Sequence, residues 1–394
     1  MKRHWKRIGE RRGVGNQVMG ATVAVVVMGD VGRSPRMVNH ARELARNGFS
    51  PVLIGYRGRE FDAPDGVRIV GLDGGRSAPR GSSGLGFAIA AGLRMSRIFL
   101  ALFRALLREK PRVILVQNPP SFPTLTAAAL AARWLGSGVV VDWHNYGFSL
   151  LALRLGDSHW LVRLARWYEF RAGRGARTHL CVSRAMRDDL WRRGIDAEVL
   201  YDWPWYVPPA RGGSQPGFIA VCPAGWTSDE DIEMLLDALG LMRDTALTVY
   251  ITGEGVKRKD LEPRLLPLRA KGVLIDTGFL PETEYRALIG RAHLGLSLHR
   301  SSSGLDLAMK VVDLFGAGVP VCAFDYGGSV GEQIEDGVTG FLFRTAAELA
   351  ALLSRLQSDA GGLSVMRAAV RERWPVAWDA EWKRTALPAL AGMS

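Results

Sequence analysis

The sequence predicts a parallel α/β protein built of two doubly wound domains. Strand-like apolar runs alternate with helical segments along nearly the whole chain, one Pro/Gly/Ser-rich break interrupts them near the middle, and glycine-rich or polar clusters recur straight after the strands. At 394 residues the chain is long enough for two domains that each bury a core.

In the first half, strands are expected at Ala21 to Met28, Ser50 to Gly55, Val67 to Gly71, Val113 to Gln117, Gly138 to Asp142, His179 to Ser183 and Ala197 to Tyr201. Helical patterns fall between them at Pro35 to Asn47, Leu85 to Glu109, Pro123 to Gly136, Trp160 to Ala172 and Arg184 to Arg193. The break DWPWYVPPARGGSQPG has no periodicity and reads as a linker. Strands then resume at Phe218 to Cys222, Leu247 to Thr252, Val273 to Thr277, Leu294 to Leu298 and Val319 to Ala323. These boundaries give an N-terminal domain at 20–205, a linker at 206–217, a C-terminal domain at 218–373 and a final helix at 374–394 that packs back toward the first domain. Two such domains form a cleft, and open parallel sheets bind ligands beyond the carboxyl ends of their strands.

A hydrophobic content of 47% and a charged content of 23% describe an ordinary globular protein, whereas a net charge of +12 points to anionic partners: phosphorylated substrates, a membrane surface or nucleic acid. No nucleic-acid module appears, which removes the last of these. Cys181, Cys222 and Cys322 sit in strand-like runs without metal-ligand spacing and read as buried reduced thiols. The apolar run behind the basic N-terminus is too short to span a bilayer, so any membrane contact is expected to be peripheral.

The richest segment is SSSGLDLAMKVVDLFGAGVP, 301–320. Ser301, Ser302, Ser303 and Gly304 can aim hydroxyls and backbone N–H groups at a phosphate, and a helix is expected from Leu307 to Phe315 just behind them. Lys310 and Asp313 share one face of that helix; a Lys suits a diphosphate and a carboxylate suits the hydroxyl pair of a ribose. Arg300 adds a cation before the serines. Gly225 and Gly253 mark turns after strands, and Phe279 offers an aromatic on which a base could stack. The acids Asp229, Glu230 and Asp231 read as helix-start carboxylates facing a positive dipole end.

In the first half, Asp30 and Gly32 lie in a turn that lacks the dinucleotide glycine spacing. Arg33 and Arg36 stand beside its glycines, more cations than a turn requires. The loop Asp142-Trp143-His144-Asn145-Tyr146-Gly147 gathers polar side chains at a strand end, and Asn118 ends another strand with an amide suited to hydroxyls. Along the helix expected from Leu85, Arg94, Arg97 and Arg104 form a stripe beside Phe99 and Phe103, which suits a peripheral contact with anionic head groups.

In order along the chain, GDVGRSPRM, VQNPPSFPTL, VDWHNYGFSLLAL, RWYEF, CVSRAMRDDL, LYDWP, GWTSDEDIEMLLDAL, ITGEG, SSSGLDLAMKVVDLFGAGVPVC and AWDAEWKRTALP resemble the β-1,4-mannosyltransferases that add the first mannose to dolichol-diphosphate-linked chitobiose. The resemblance implies a GT-B glycosyltransferase fold, two Rossmann-like domains facing a cleft, with GDP-mannose as donor, inversion at the anomeric carbon and neither cofactor nor metal. It implies that Arg300, the serine loop and Lys310 hold the GDP diphosphate, that Asp313 holds the ribose, and that Asp30 and Gly32 lie beside the sugar. His144 is the candidate base, with Asp30 second; Asn118, Asp142, Asn145 and Tyr146 are the candidate acceptor contacts. Implied partners are a lipid-diphosphate-linked oligosaccharide, a membrane surface and other glycosyltransferases of a shared complex. The implied place is the cytosolic side of a membrane, that of the endoplasmic reticulum or the inner face of a bacterial plasma membrane. Three departures stand out: no hydrophobic anchor precedes the first strand, Ala308 replaces a proline before Met309-Lys310, and DYGGSVGEQ (325–333) differs from the family pattern. Another nucleotide sugar or lipid-linked acceptor would use the same motifs, and a silent homologue acting as a scaffold is the reading outside enzymes.

Overall fold

The structure is a computed structural model that describes residues 20–58, 61–72, 85–204, 217–242 and 246–392, the side chains of 85–89 excepted. The basic N-terminal run and all of the expected linker but Gly217 lie outside the described residues. Two compact units emerge. The first runs to Val182 and adds Arg187–Leu200 and the tail from Ala380; the second holds Ser183–Met186 and Tyr201–Asp379.

In the first unit, β1 (Thr22–Asp30), β2 (Ser50–Tyr56), β3 (Arg68–Gly71), β4 (Val113–Asn118), β5 (Gly138–Trp143), β6 (Thr178–Cys181) and β7 (Glu198–Val199) form a parallel sheet in the order β3-β2-β1-β4-β5-β6-β7. Val23 to Val26 are fully buried, as expected where helices cover both faces of a parallel sheet and no polar alternation is needed. The strand order reverses between β1 and β4, which makes the ends of these strands the natural ligand position.

The second unit repeats the scheme with β8 (Phe218–Pro223), β9 (Leu247–Thr252), β10 (Leu274–Gly278), β11 (Leu294–Ser297), β12 (Val321–Phe324) and β13 (Gly340–Phe343), in the order β10-β9-β8-β11-β12-β13. Alternate residues of β8 feed two separate cores: Ala220 and Cys222 join one with Val249 and Ile251, while Ile219 and Val221 join the other with Val311, Leu314 and Phe315. Its switch point lies between β8 and β11. The three cysteines are free and buried, and burial pushes the Cys222 and Cys322 thiols up to about 12.

One buried ion pair organises the first unit. Arg36, on the helix Pro35–Arg46 that follows β1, donates from Nε to Asp142 Oδ2 at 2.6 Å and from Nη2 to Oδ1 at 2.8 Å. Its remaining nitrogen reaches the Leu200 carbonyl at 3.0 Å, just past β7. His40 Nε2 lies 3.3 Å from Asp142 Oδ2, and its Nδ1 accepts from Trp382 Nε1 at 2.9 Å in the C-terminal tail. Arg36 is thus a structural cation rather than one surplus to a turn, whereas Arg33 is exposed. Burial would raise the Asp142 carboxyl, but the adjacent guanidinium and His40 hold it far below its ordinary value.

Removing one partner leaves the other charged and buried. Asp142→Ala is expected to cost about 3–5 kcal/mol, read as a lowered urea midpoint, while the double replacement Arg36→Met with Asp142→Leu recovers most of that loss.

Candidate active site

In the first unit the chemistry-bearing residues stand at the ends of β1, β4 and β5. Asp30 closes β1 and caps a short helical turn, Val31–Arg33, by accepting from Gly32 N at 3.1 Å. Gly58 makes room for it, since a Cβ there would lie 2.2 Å from Asp30 Oδ2. The β1 and β5 ends are separated by β4 alone, so Asp30 and the His144 loop stand at two strand ends with one strand between them.

The His144 loop is built mostly from buried polar groups. Asn118, fully buried at the end of β4, accepts from His144 N at 2.8 Å and donates from Nδ2 to Asn145 O at 3.2 Å and Glu169 Oε1 at 2.6 Å. Glu169, which the sequence reading did not single out, also accepts from Gly147 N at 2.8 Å and Phe148 N at 3.1 Å. It therefore satisfies the first amides of the helix Gly147–Leu155 with a carboxylate. Burial pushes its pKa up against these bonds. Asn145 accepts from Tyr146 N at 2.7 Å, and Tyr146, 1% exposed, donates its hydroxyl to Asp189 at 2.8 Å.

Of the five residues Asp142 to Tyr146, only His144 is half-exposed; the rest are buried. The expected acceptor contacts Asn118, Asp142, Asn145 and Tyr146 thus form the frame that presents His144, and the carboxylate of Asp142 is sealed in its ion pair.

On the helix Leu85–Glu109, Ile98, Leu102 and Leu106 turn into the core, while Leu93 and Leu100 are exposed. Phe99 and Phe103 stack at 5.8 Å and are half-buried, as is Arg94, while Arg97 and Arg104 are exposed.

In the second unit the loops after β8 and β11 meet. Glu230 is 7% exposed, accepts from Trp226 N at 2.9 Å and from Gly225 N, and takes Lys310 on its other oxygen. Of the three acids read as helix-start carboxylates, only Asp231 caps the following helix, accepting from Met234 N at 3.2 Å. Glu230 instead folds back to hold a turn and a lysine, because an adjacent ammonium and two orphan amides are stronger partners than a distant dipole. Gly253, at φ +96°, admits no side chain, since a Cβ would lie 1.9 Å from Ala224 O; this lets the turn after β9 close on the turn after β8.

The serine loop is organised from within. Asp306, 5% exposed and also not singled out in the sequence, accepts from Ser301 Oγ and binds His299 Nε2 at 2.9 Å. Ser303 Oγ stands 3.5 Å from the same carboxylate and accepts from Leu305 N at 3.2 Å, and Gly304 N donates to Ser301 Oγ at 2.7 Å. The serine hydroxyls expected to face a phosphate are, for Ser301 and Ser303, turned onto Asp306; Ser302 is half-buried. Burial pulls His299 down, but the Asp306 carboxylate outweighs it and raises the imidazole above its ordinary value.

The stretch 325–333 clamps this loop. Ser329 donates its N–H to Gly304 O at 3.0 Å and its hydroxyl to Asp306 O at 2.7 Å, and Gly328 at φ +58° passes where a Cβ would lie 1.9 Å from Gly304 O. Gln333 donates to Ala308 O at 3.1 Å. Ala308 itself has φ −77°, within the range proline would impose, so the helix Met309–Gly316 starts as a proline would start it.

Arg300 pairs with Asp231 and lies 4.5 Å over the Phe324 ring, and Phe279 stands 51% exposed past β10. Asp313 accepts from the Tyr285 hydroxyl at 3.3 Å; burial pushes its pKa up to about 6 even against that bond. Among the described residues no cluster of three or more His, Cys, Asp or Glu could hold a metal ion.

Comparison with known proteins agrees with this layout. Residues 32–201 match the family model of a glycosyl transferase 4-like domain, and 216–359 match glycosyl transferases group 1. The chain is 34% identical to the chitobiosyldiphosphodolichol β-mannosyltransferase of Mus musculus, over 98% of this chain and 91% of that protein. It is 31% identical to the UDP-glycosyltransferase TURAN of Arabidopsis thaliana, over 93% and 96%. Among solved structures, Anabaena Alr3699/HepE in complex with UDP and glucose superposes with a TM-score of 0.67 at 17% identity, covering 94% of this chain and all of the other.

The raised Asp313 pKa has a signed consequence. Its ionised form is disfavoured by folding, so the cost is present above about 6 and vanishes below the ordinary value of 3.8. Asp313→Asn is expected to raise the melting temperature at pH 7.5, with the gain shrinking as pH falls through 6 and absent near 4.

Proposed function

This chain belongs to the chitobiosyldiphosphodolichol β-mannosyltransferase family and has its GT-B glycosyltransferase fold, and on that premise we propose that it moves mannose from GDP-mannose to the terminal GlcNAc of a polyprenyl-diphosphate-linked chitobiose in a β-1,4 linkage. The carrying observation is that the likeness to the mannosyltransferases spans both units rather than one motif.

The second unit holds the donor in this reading. Lys310, Arg300 and the N-terminus of the helix Met309–Gly316 offset the charge that develops on the leaving diphosphate, and Asp313, once ionised, accepts from the ribose hydroxyls. Lys310 exchanges Glu230 for the diphosphate, while Glu230 keeps its two backbone amides and the turn stays formed. With cations and a helix end in this role, the transfer needs no metal.

The first unit supplies the base. His144 takes the proton of the acceptor 4-hydroxyl as that oxygen attacks the anomeric carbon from the face opposite the leaving diphosphate, which inverts the centre. The Asn118 carbonyl holds the backbone of His144 in place, and Asp30 lies beside the sugar as the alternative base. The lipid carrier of the acceptor places the protein at a membrane surface, on the cytosolic side where GDP-mannose is the donor.

Purified protein given GDP-mannose and phytanyl-diphosphate-chitobiose is expected to yield a trisaccharide sensitive to β-mannosidase. His144→Ala is expected to lower kcat by about 10²–10⁴-fold with the donor KM little changed. The name of the Arabidopsis relative makes UDP-sugars the comparison donors. Turnover of a UDP-sugar without mannose transfer would overturn the donor, and full activity of His144→Ala alongside a dead Asp30→Asn would move the base to Asp30.

A further inference from the structure

The first unit carries an exposed apolar and basic surface that none of the chemistry above uses. It centres on two helices packed on each other, Gly147–Leu155 and Trp160–Gly173. On the second, Trp160, Leu164 and Trp167 form one stripe with exposures of 64%, 49% and 63%; on the first, Leu153 is 55% exposed. Arg154, Arg163, Arg166 and Arg171 are exposed on the same two helices, and Arg166 lies 4.5 Å over the Phe148 ring. Within 147–173 the acids are Asp157 and Glu169, and Glu169 is buried, so exposed charge here is strongly positive.

The patch continues onto the helix Thr124–Leu135. Tyr168 reaches Thr126 at 2.5 Å and meets Phe122 edge-on at 5.4 Å, and beyond them Trp134 is 79% exposed. Isolated exposed leucines are ordinary, but several tryptophans and leucines side by side among arginines are not. Tryptophan with a polar edge and an apolar body, next to arginine, is the composition of a surface that sits at the boundary of head groups and acyl chains. Among the described residues no helix is long and apolar enough to cross a membrane.

We propose that the outer face of the Gly147–Leu155 and Trp160–Gly173 helices docks this protein on an anionic lipid bilayer. The proposal rests on the lipid-linked acceptor read above and gives it a place. The helix Gly147–Leu155 starts at the end of the His144 loop and its nine residues extend about 13 Å, so docking its far end and Trp160 in the head groups holds His144 near the membrane surface, where a lipid-bound sugar emerges. This shifts the centre of contact away from the arginine stripe of Leu85–Glu109, where Ile98, Leu102 and Leu106 face the core although Leu93 and Leu100 stay exposed.

Flotation with phosphatidylcholine vesicles, with and without phosphatidylglycerol, tests the surface independently of turnover. The protein is expected to float with the anionic vesicles, less so as salt rises. The triple variant Leu153→Glu, Trp160→Glu, Leu164→Glu is expected to bind roughly tenfold more weakly or worse, with its circular dichroism and its transfer to a short-chain acceptor in solution unchanged. Flotation of the triple variant equal to wild type would overturn the proposal. So would an unbound wild type whose self-association, seen by sedimentation, disappears in the triple variant, since the face would then join two copies. Normal flotation without transfer to any acceptor would strike the mannosyltransferase reading and leave the lipid surface standing.

Discussion

The Arg36–Asp142 pair is the constraint on which the first unit depends. Asp142 is the penultimate residue of β5 and stands two residues before His144, so whatever fixes its carboxylate fixes the start of the loop. Through the same guanidinium and His40, the pair gathers the helix after β1, the chain leaving β7 and the tail at Trp382 around one strand end. Two buried charges repay their desolvation only when geometry and further hydrogen bonds are good, and an apolar replacement could be as stable. What such a replacement cannot supply is direction: a bidentate guanidinium sets the position of β5 relative to its neighbours to within a hydrogen bond.

The second unit meets the same problem with carboxylates of its own. Glu230 and Asp306 are nearly buried, and each draws together groups that would otherwise repel or go unpaired: backbone amides and Lys310 for the first, His299 and two serines for the second. If this cluster takes the donor diphosphate as proposed, a site for an anion is thereby assembled around anions. Glu230 neutralises Lys310, and in the proposed donor role a diphosphate would offer the ammonium a more highly charged partner while Glu230 kept its backbone amides.

Much of this was legible in the sequence, for reasons that differ by level. Continuous apolar runs located strands to within a residue or two, as Leu247–Thr252 shows, because both faces of a parallel sheet are buried. The edge strand β13, Gly340–Phe343, escaped notice: GFLF is short, and only its first and last residues are buried. The family strings DWHNYG and SSSGLDL were visible, but which of their polar groups turn inward was not. Arg36 meets Asp142 across 106 residues and Asn118 meets Glu169 across 51, and local spacing carries no signal at such separations. A lone acid within an aromatic or leucine-flanked run, Glu169 in RWYEF or Asp306 in SSSGLDL, is the one local hint that an inward partner exists.

The residues expected to depart from the family pattern, Ala308 and the stretch 325–333, are held to each other. A proline at 308 would preset φ at the helix start; here alanine takes nearly the same φ, with its carbonyl held by Gln333. Gln333 belongs to the divergent stretch 325–333, as do Gly328 and Ser329, which close on Gly304 and Asp306. Two changes that look independent along the chain therefore meet at one place. In this chain a set of long-range hydrogen bonds, rather than a pyrrolidine ring, holds the start of the Lys310 helix. A Cβ at 328 would lie 1.9 Å from Gly304 O and break this arrangement, so the closure of 325–333 on the serine loop depends on that glycine.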